Sequence, residues 1–92
     1  MDGGALERRV TIANKRGLHA RAAAKFVKCV SQYGADVTVT RDGNSVNGAS
    51  IMGLMMLGAG IGSEIAIAAQ GADAAEALDA LAVLVESKFG EE

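Results

Sequence analysis

The chain has no proline and no tryptophan, a single cysteine, a single histidine and only 3% aromatic residues. Each scarcity excludes something. Cys29 alone cannot close an internal disulfide. One histidine and one cysteine cannot supply the ligands of an ordinary metal centre, so no metal is expected. A hydrolytic triad lacks its parts too, since nothing resembles a nucleophile elbow beside that lone histidine. Strands without aromatics offer no platform for stacked bases, which argues against nucleic-acid binding. No apolar run approaches the roughly 20 residues of a membrane helix, so no membrane insertion is expected. Met1-Asp2-Gly3-Gly4 carries neither a basic start nor an apolar block and does not read as a signal peptide. The expectation is a cytoplasmic protein.

What is present is aliphatic. Half of the 92 residues are hydrophobic, enough for one domain spanning residues 1–92 with a modest core. The net charge of −2 hides an asymmetry: eight of the nine Lys/Arg fall in residues 1–41, and eight of the eleven Asp/Glu fall in 42–92. That split fits either docking through a basic surface or two merely solvated faces.

Hydrophobic periodicity gives the elements. Residues 6–13 alternate, with Val10 and Ile12 on one face. A helix is expected over residues 20–33, its buried stripe formed by Ala23, Phe26, Val27 and Val30, with Gly34 as its stop. Residues 36–41 alternate again. Asp42-Gly43 is a hairpin signal, and a short strand returns over 45–47. Ser50 reads as the N-cap of a short helix over 51–57. Residues 58–62 form a glycine-rich loop with no Lys-Ser/Thr ending, hence no phosphate-binding P-loop. A strand over 64–70 follows. Asp73 and Glu76 have capping-box spacing for a helix over 74–89, with Leu78, Leu81, Val85 and Phe89 inward and Gly90 ending it. The order βαββαβα implies an α+β fold with one sheet face under helices and the other open to water.

The chemistry gathers at Gly17-Leu18-His19-Ala20-Arg21-Ala22-Ala23. His19 stands where a polar loop becomes a helix. The first helical N–H groups lack partners and carry partial positive charge, so an anion is stabilised there. Arg21 adds a planar fork of donors suited to phosphate oxygens. An imidazole beside such a site can accept and pass on a phosphoryl group; a lone histidine can also be structural. A cation in a first turn opposes the helix dipole, which points to a functional reason for Arg21. Ser50 is first of all a cap. Ile51, Met52, Leu54, Met55, Met56 and Leu57 are more apolar than a short surface helix can bury, so an adaptable partner surface or a shielded core are both open. Cys29 has nothing to lower its pKa and reads as inert.

Two segments resemble the HPr family, the histidine phosphocarriers of the bacterial phosphoenolpyruvate-dependent phosphotransferase system. Residues 17–23 resemble its active-site motif, and Val46-Asn47-Gly48-Ala49-Ser50-Ile51-Met52-Gly53-Leu54-Met55 its regulatory serine segment. The resemblance implies an open-faced sandwich, with three helices on one face of a four-stranded antiparallel sheet of order 1-4-2-3. It implies that His19 takes a phosphoryl group on Nδ1 from enzyme I and hands it to an EIIA-type acceptor in sugar transport. Arg21 would steady the phosphoryl charge, and Ser50 would be a substrate for an HPr kinase/phosphorylase. Ala20, Lys28, Ile51, Met52 and Met55 would meet partners. It implies a monomer without cofactor that is not itself an enzyme. Three residues depart from the family pattern: Ala22 replaces a proline, Ala49 a frequent lysine and Met56 a frequent serine. They leave open a nitrogen-type regulatory branch in which the chain acts as a binding module through its Met52 surface.

Overall fold

A computed structural model describes residues 5–91; residues 1–4, read above for a signal peptide, and residue 92 lie outside the described residues. The elements are β1 (Leu6–Thr11), α1 (Ala20–Val30), β2 (Asp36–Arg41), β3 (Asn44–Asn47), α2 (Ile51–Met56), β4 (Glu64–Gln70) and α3 (Ala74–Glu86), followed by a turn, Lys88–Gly90. The sheet has the order β1-β4-β2-β3 and every pairing is antiparallel. Since β1 and β2 both oppose β4, they run parallel to each other, and α1 makes the crossover that such a pair requires. That crossover sets the start of α1 beyond the end of β1.

Alternation decides which face is covered. Ile65, Ile67 and Ala69 of β4 point inward. Val10 lies opposite Ile65 and Val39 opposite Ile67 across the ladders. With them Phe26, Leu54, Leu81 and Val85 are sealed from water, each burial stabilising by about 1.5–3 kcal/mol. The other face keeps Thr38, Thr40, Ala66 and Ala68 partly or fully open, completing the open-faced sandwich.

The differences from the expected boundaries have local causes. β1 stops at Thr11, and Ile12 and Ala13 are not part of the strand; Ile12 continues inward through backbone bonds with Gly62 and Ser63 (2.8 Å each). α1 stops at Val30, because Gln32 and Tyr33 donate three residues back, to Cys29 and Val30, and tighten the chain out of the α-helix. α2 ends at Met56 with Leu57 as its cap, and β3 begins one residue early at Asn44. Asp42 and Gly43 both have positive φ, 49° and 82°, as a type I′ hairpin turn needs.

Asp73 is the N-cap residue of α3, but its side chain does not cap that helix. Its Oδ2 instead accepts the N–H of Gly34 at 2.7 Å, while Asp73 N–H returns a bond to Gly34 O at 3.1 Å. The capping box therefore does not form, and Gly34 serves as a docking point for Asp73. A Cβ on Gly34 would sit 3.2 Å from that carboxylate oxygen.

The largest correction is at the end of α3. The helix stops at Glu86, and Lys88, Phe89 and Gly90 all take left-handed backbone (φ 63°, 56° and 72°). Phe89 is buried as expected, at 1% exposure, but through a hook instead of a further helical turn. Left-handed backbone costs about 1–2 kcal/mol at a non-glycine residue. Burial of the ring offsets it, aided by a bond from Lys25 Nζ to Phe89 O at 2.7 Å.

The charge asymmetry of the sequence is partly offset by the interleaved topology. Arg8 pairs with Asp79 of α3 at 2.6 Å and Arg9 with Glu64 of β4 at 3.4 Å. Arg41 lies 3.8 Å from Asp42 and donates to Leu57 O at 3.0 Å. Among the described residues, the cations left without such partners are Lys15, Arg16, Arg21, Lys28 and Lys88. Four of the five lie on α1 or on the loop leading into it.

Candidate functional site

The loop between β1 and α1 is fixed by one glycine. Gly17 has φ +64°, and a Cβ there would lie 2.3 Å from Ala59 O. That close approach lets Leu18 N–H reach the same carbonyl at 3.0 Å and buries Leu18. His19 follows as the N-cap of α1, in extended conformation (φ −73°, ψ 177°), and its carbonyl accepts Ala23 N–H at 2.9 Å.

The His19 side chain makes no capping bond, and the first turn of α1 holds no acidic residue. The leading N–H groups of the helix are thus free of any side-chain acceptor. Arg21 is exposed in this turn and, among the described residues, makes no side-chain hydrogen bond or ion pair. Ala20 is exposed beside it.

The imidazole turns toward the chain's tail. His19 Nε2 and Glu91 Oε2 lie 2.5 Å apart. Glu91 Oε1 accepts from Asn14 Nδ2 at 3.0 Å, and the same Nδ2 donates to Gly17 O at 2.8 Å. Two acceptors facing one amide group settle which end of the Asn14 side chain is the nitrogen. Asn14 is 1% exposed, and its Oδ1 is buried without a partner among the described residues. The His19 hydrogen bond foremost, then that from Asn14, hold the Glu91 carboxyl below its ordinary range. A concavity beside this trio is lined by Lys15, Arg16 and Lys88 as well as Asn14 and Glu91.

Sequence reasoning singled out His19 and Arg21 but not Asn14 and Glu91, which the structure brings to the same imidazole. Asn14 carried a faint signal, as a turn-forming residue ahead of a glycine. Glu91 carried none, being 72 residues from His19 and beyond a glycine that read as a helix stop.

The second candidate region is α2, which packs against α1. Ser50 is its N-cap, and Oγ accepts Gly53 N–H at 2.9 Å. Gly53 has no Cβ to crowd that bond; one would lie 3.1 Å from Oγ. Leu54 is the buried anchor, while Ile51, Met52, Met55 and Met56 are exposed, Met52 at 70% and Met56 at 81%. Ile61 of the glycine loop is also exposed and was not singled out from the sequence. Lys28 is exposed in the last turn of α1. Cys29 is half-buried, and desolvation pushes its thiol up, away from the reactive thiolate.

A family model described as the PTS HPr component phosphorylation site matches residues 6–87. The phosphocarrier protein HPr of Cupriavidus necator is 48% identical over 86 residues, covering 94% of this chain and 97% of that protein. The phosphocarrier protein NPr of Shewanella violacea is 46% identical, covering 94% of each. A crystal structure of HPr from Thermoanaerobacter tengcongensis superposes with a TM-score of 0.90 at 47% identity, covering 95% of this chain and 98% of that one. An HPr dimer from the same organism matches with a TM-score of 0.75 at 48% identity, covering 89% and 97%.

Proposed function

The chain belongs to the HPr family of phosphocarriers of the phosphotransferase system, and from that premise we propose that His19 accepts a phosphoryl group on Nδ1 from enzyme I and gives it to an EIIA-type acceptor. The carrying observation is the position of the sole histidine at an uncapped helix N-terminus. The backbone there offers donors to the phosphoryl oxygens, and the dipole favours their charge. Arg21 stabilises the charge that spreads over those oxygens as the group passes. The chain acts as the substrate of its partner enzymes and is not an enzyme itself.

The unpaired cation Lys28 on α1, with Ala20, Ile51, Met52 and Met55, forms the docking surface. An acidic partner is drawn to Lys28, and the methionines adapt to an apolar pocket. Ser50 is a regulatory phosphorylation site for an HPr kinase/phosphorylase. The protein acts in the cytoplasm as one domain. The chain acts as a monomer, and a dimer found by sedimentation, the form of one neighbouring HPr structure, would overturn this.

A second reading, as a regulatory module of a nitrogen-type branch acting through the Met52 surface, is favoured by the 46% identity to an NPr phosphocarrier and the 70% exposure of Met52. Incubation with enzyme I and phosphoenolpyruvate tests the primary reading. An acid-labile mass increase of one phosphoryl group is expected, and it should vanish in a folded His19→Ala variant. Phosphate acceptance by that variant would sink the assignment.

A further inference from the structure

We propose that Glu91 is a positioning residue for His19: its carboxylate holds the imidazole through Nε2 and leaves Nδ1 as the attacking nitrogen. This rests on the reading of His19 as the phosphoryl acceptor. The contact is built from both sides. Glu91 Oε2 faces Nε2 at 2.5 Å, and Oε1 is held by the buried Asn14 amide at 3.0 Å, so the carboxylate cannot swing freely. Asn14 is in turn fixed by Gly17 O in the loop that presents His19. The tail is delivered by the Phe89 hook and by the Lys25 bond to Phe89 O.

An ionised carboxylate only accepts hydrogen bonds, so the hydrogen between the pair belongs to Nε2. In a neutral imidazole the other nitrogen then carries the lone pair. Among the described residues nothing hydrogen-bonds Nδ1, which is left for chemistry.

In transfer from a phosphorylated imidazole of the donor, the Nδ1 lone pair forms the new N–P bond. The donor's N–P bond breaks, and its electron pair stays on the donor nitrogen. No proton moves. Nε2 keeps its hydrogen, the His19 ring becomes a cationic phosphoimidazolium, and the Glu91 carboxylate faces that new charge. Onward transfer reverses these changes and returns the neutral ring with the same nitrogen bare.

The test uses Glu91→Gln and Glu91→Ala in the full chain, read by 15N signals of the His19 ring and by the rate of phosphoryl acceptance from enzyme I. The unmodified protein should show hydrogen on Nε2 and a bare Nδ1. Glu91→Gln should keep that signature, because an amide oxygen also accepts, yet accept phosphate more slowly for want of the charge. Glu91→Ala should mix the two tautomers and slow acceptance roughly 10-fold or more, as loss of an orienting histidine partner does elsewhere, with little change in melting temperature. A purely structural tail would instead lower the melting temperature and leave the ring signature alone. An unchanged signature or an unchanged rate in Glu91→Ala overturns the proposal. A wild-type chain that accepts no phosphate overturns the functional reading instead, and the ring spectra then still decide whether Glu91 holds Nε2.

Discussion

The starts of α1 and α2 are built on opposite plans. α2 begins with a self-contained cap, Ser50 Oγ closing on Gly53 N–H three residues later. α1 begins with an extended histidine whose side chain leaves the helix donors alone and reaches a carboxylate 72 residues away. A helix whose cap is supplied internally has its first donors partly satisfied. A helix whose N-cap residue looks elsewhere keeps them for a ligand. The difference separates a site suited to bind an anion from one suited to carry a modification at its edge.

The sharpest break in this comparison is Arg21→Ala. Removing a donor that acts on developing charge slows such reactions by about 10²–10³-fold. Phosphoryl acceptance should fall by that order at saturating enzyme I, with docking affinity little changed. Equal losses in rate and affinity would make Arg21 a docking residue. Next comes Gly17→Ala. The added Cβ meets a backbone carbonyl at 2.3 Å in left-handed backbone, a combined cost of roughly 2–4 kcal/mol. Gly43→Ala is the control, since φ is +82° but nothing lies within 4 Å; about 1–2 kcal/mol is expected there, from the backbone alone. Denaturant unfolding of both variants would show whether the close approach or the backbone alone matters.

These two regions also differ in how far the sequence revealed them. Strand faces and the Ser50 cap were legible because their partners lie two or three residues away, within the reach of a pattern. The His19 N-cap was legible from a polar, glycine-containing loop giving way to strong helix formers. Phe89 shows the limit: four residues after Val85, it faces inward whether the chain stays helical or hooks back, so periodicity could not distinguish the two. Asp73 shows another, as its spacing to Glu76 suits a capping box while a donor 39 residues away, Gly34 N–H, takes its carboxylate. Glu91 depended on both the hook and the buried Asn14, and no local pattern encodes either.

Acid should sharpen the contrast further. The Glu91 carboxyl is held below its ordinary range by His19 and then Asn14. A depressed carboxylate contributes stability that is fully present above its unfolded pKa, near 4.5, and lost as pH falls through the folded value. The tail contact should therefore persist at pH 4.5 and release only below it. Ring and carboxyl NMR signals followed from pH 7 to pH 3 would check this. The Ser50 cap contains no titrating group, and its Gly53 amide should show no matching transition. Release of the tail at or above pH 4.5 would contradict the assigned hydrogen bonds.

The smallest effect is expected from Ser50→Asp. Aspartate and serine cap helices about equally well, and a carboxylate at the positive end of a short helix adds only a few tenths of a kcal/mol. Ser50→Ala, by contrast, should cost ~1 kcal/mol by orphaning the Gly53 N–H. Folding should thus hardly register the aspartate, while the surface around it should. Ile51 and Met52 are exposed on the turn it begins, and an acidic partner drawn to the cations of α1 would meet a new negative charge among its apolar contacts. Acceptance from enzyme I should slow several-fold through weaker docking, with the maximal rate at saturation unchanged. Paired thermal melts and saturation kinetics of Ser50→Asp and Ser50→Ala separate the two effects. If the activity lost in Ser50→Asp followed its melting temperature, Ser50 would be a cap and nothing more, and the two helix starts would differ in construction without dividing the function between them.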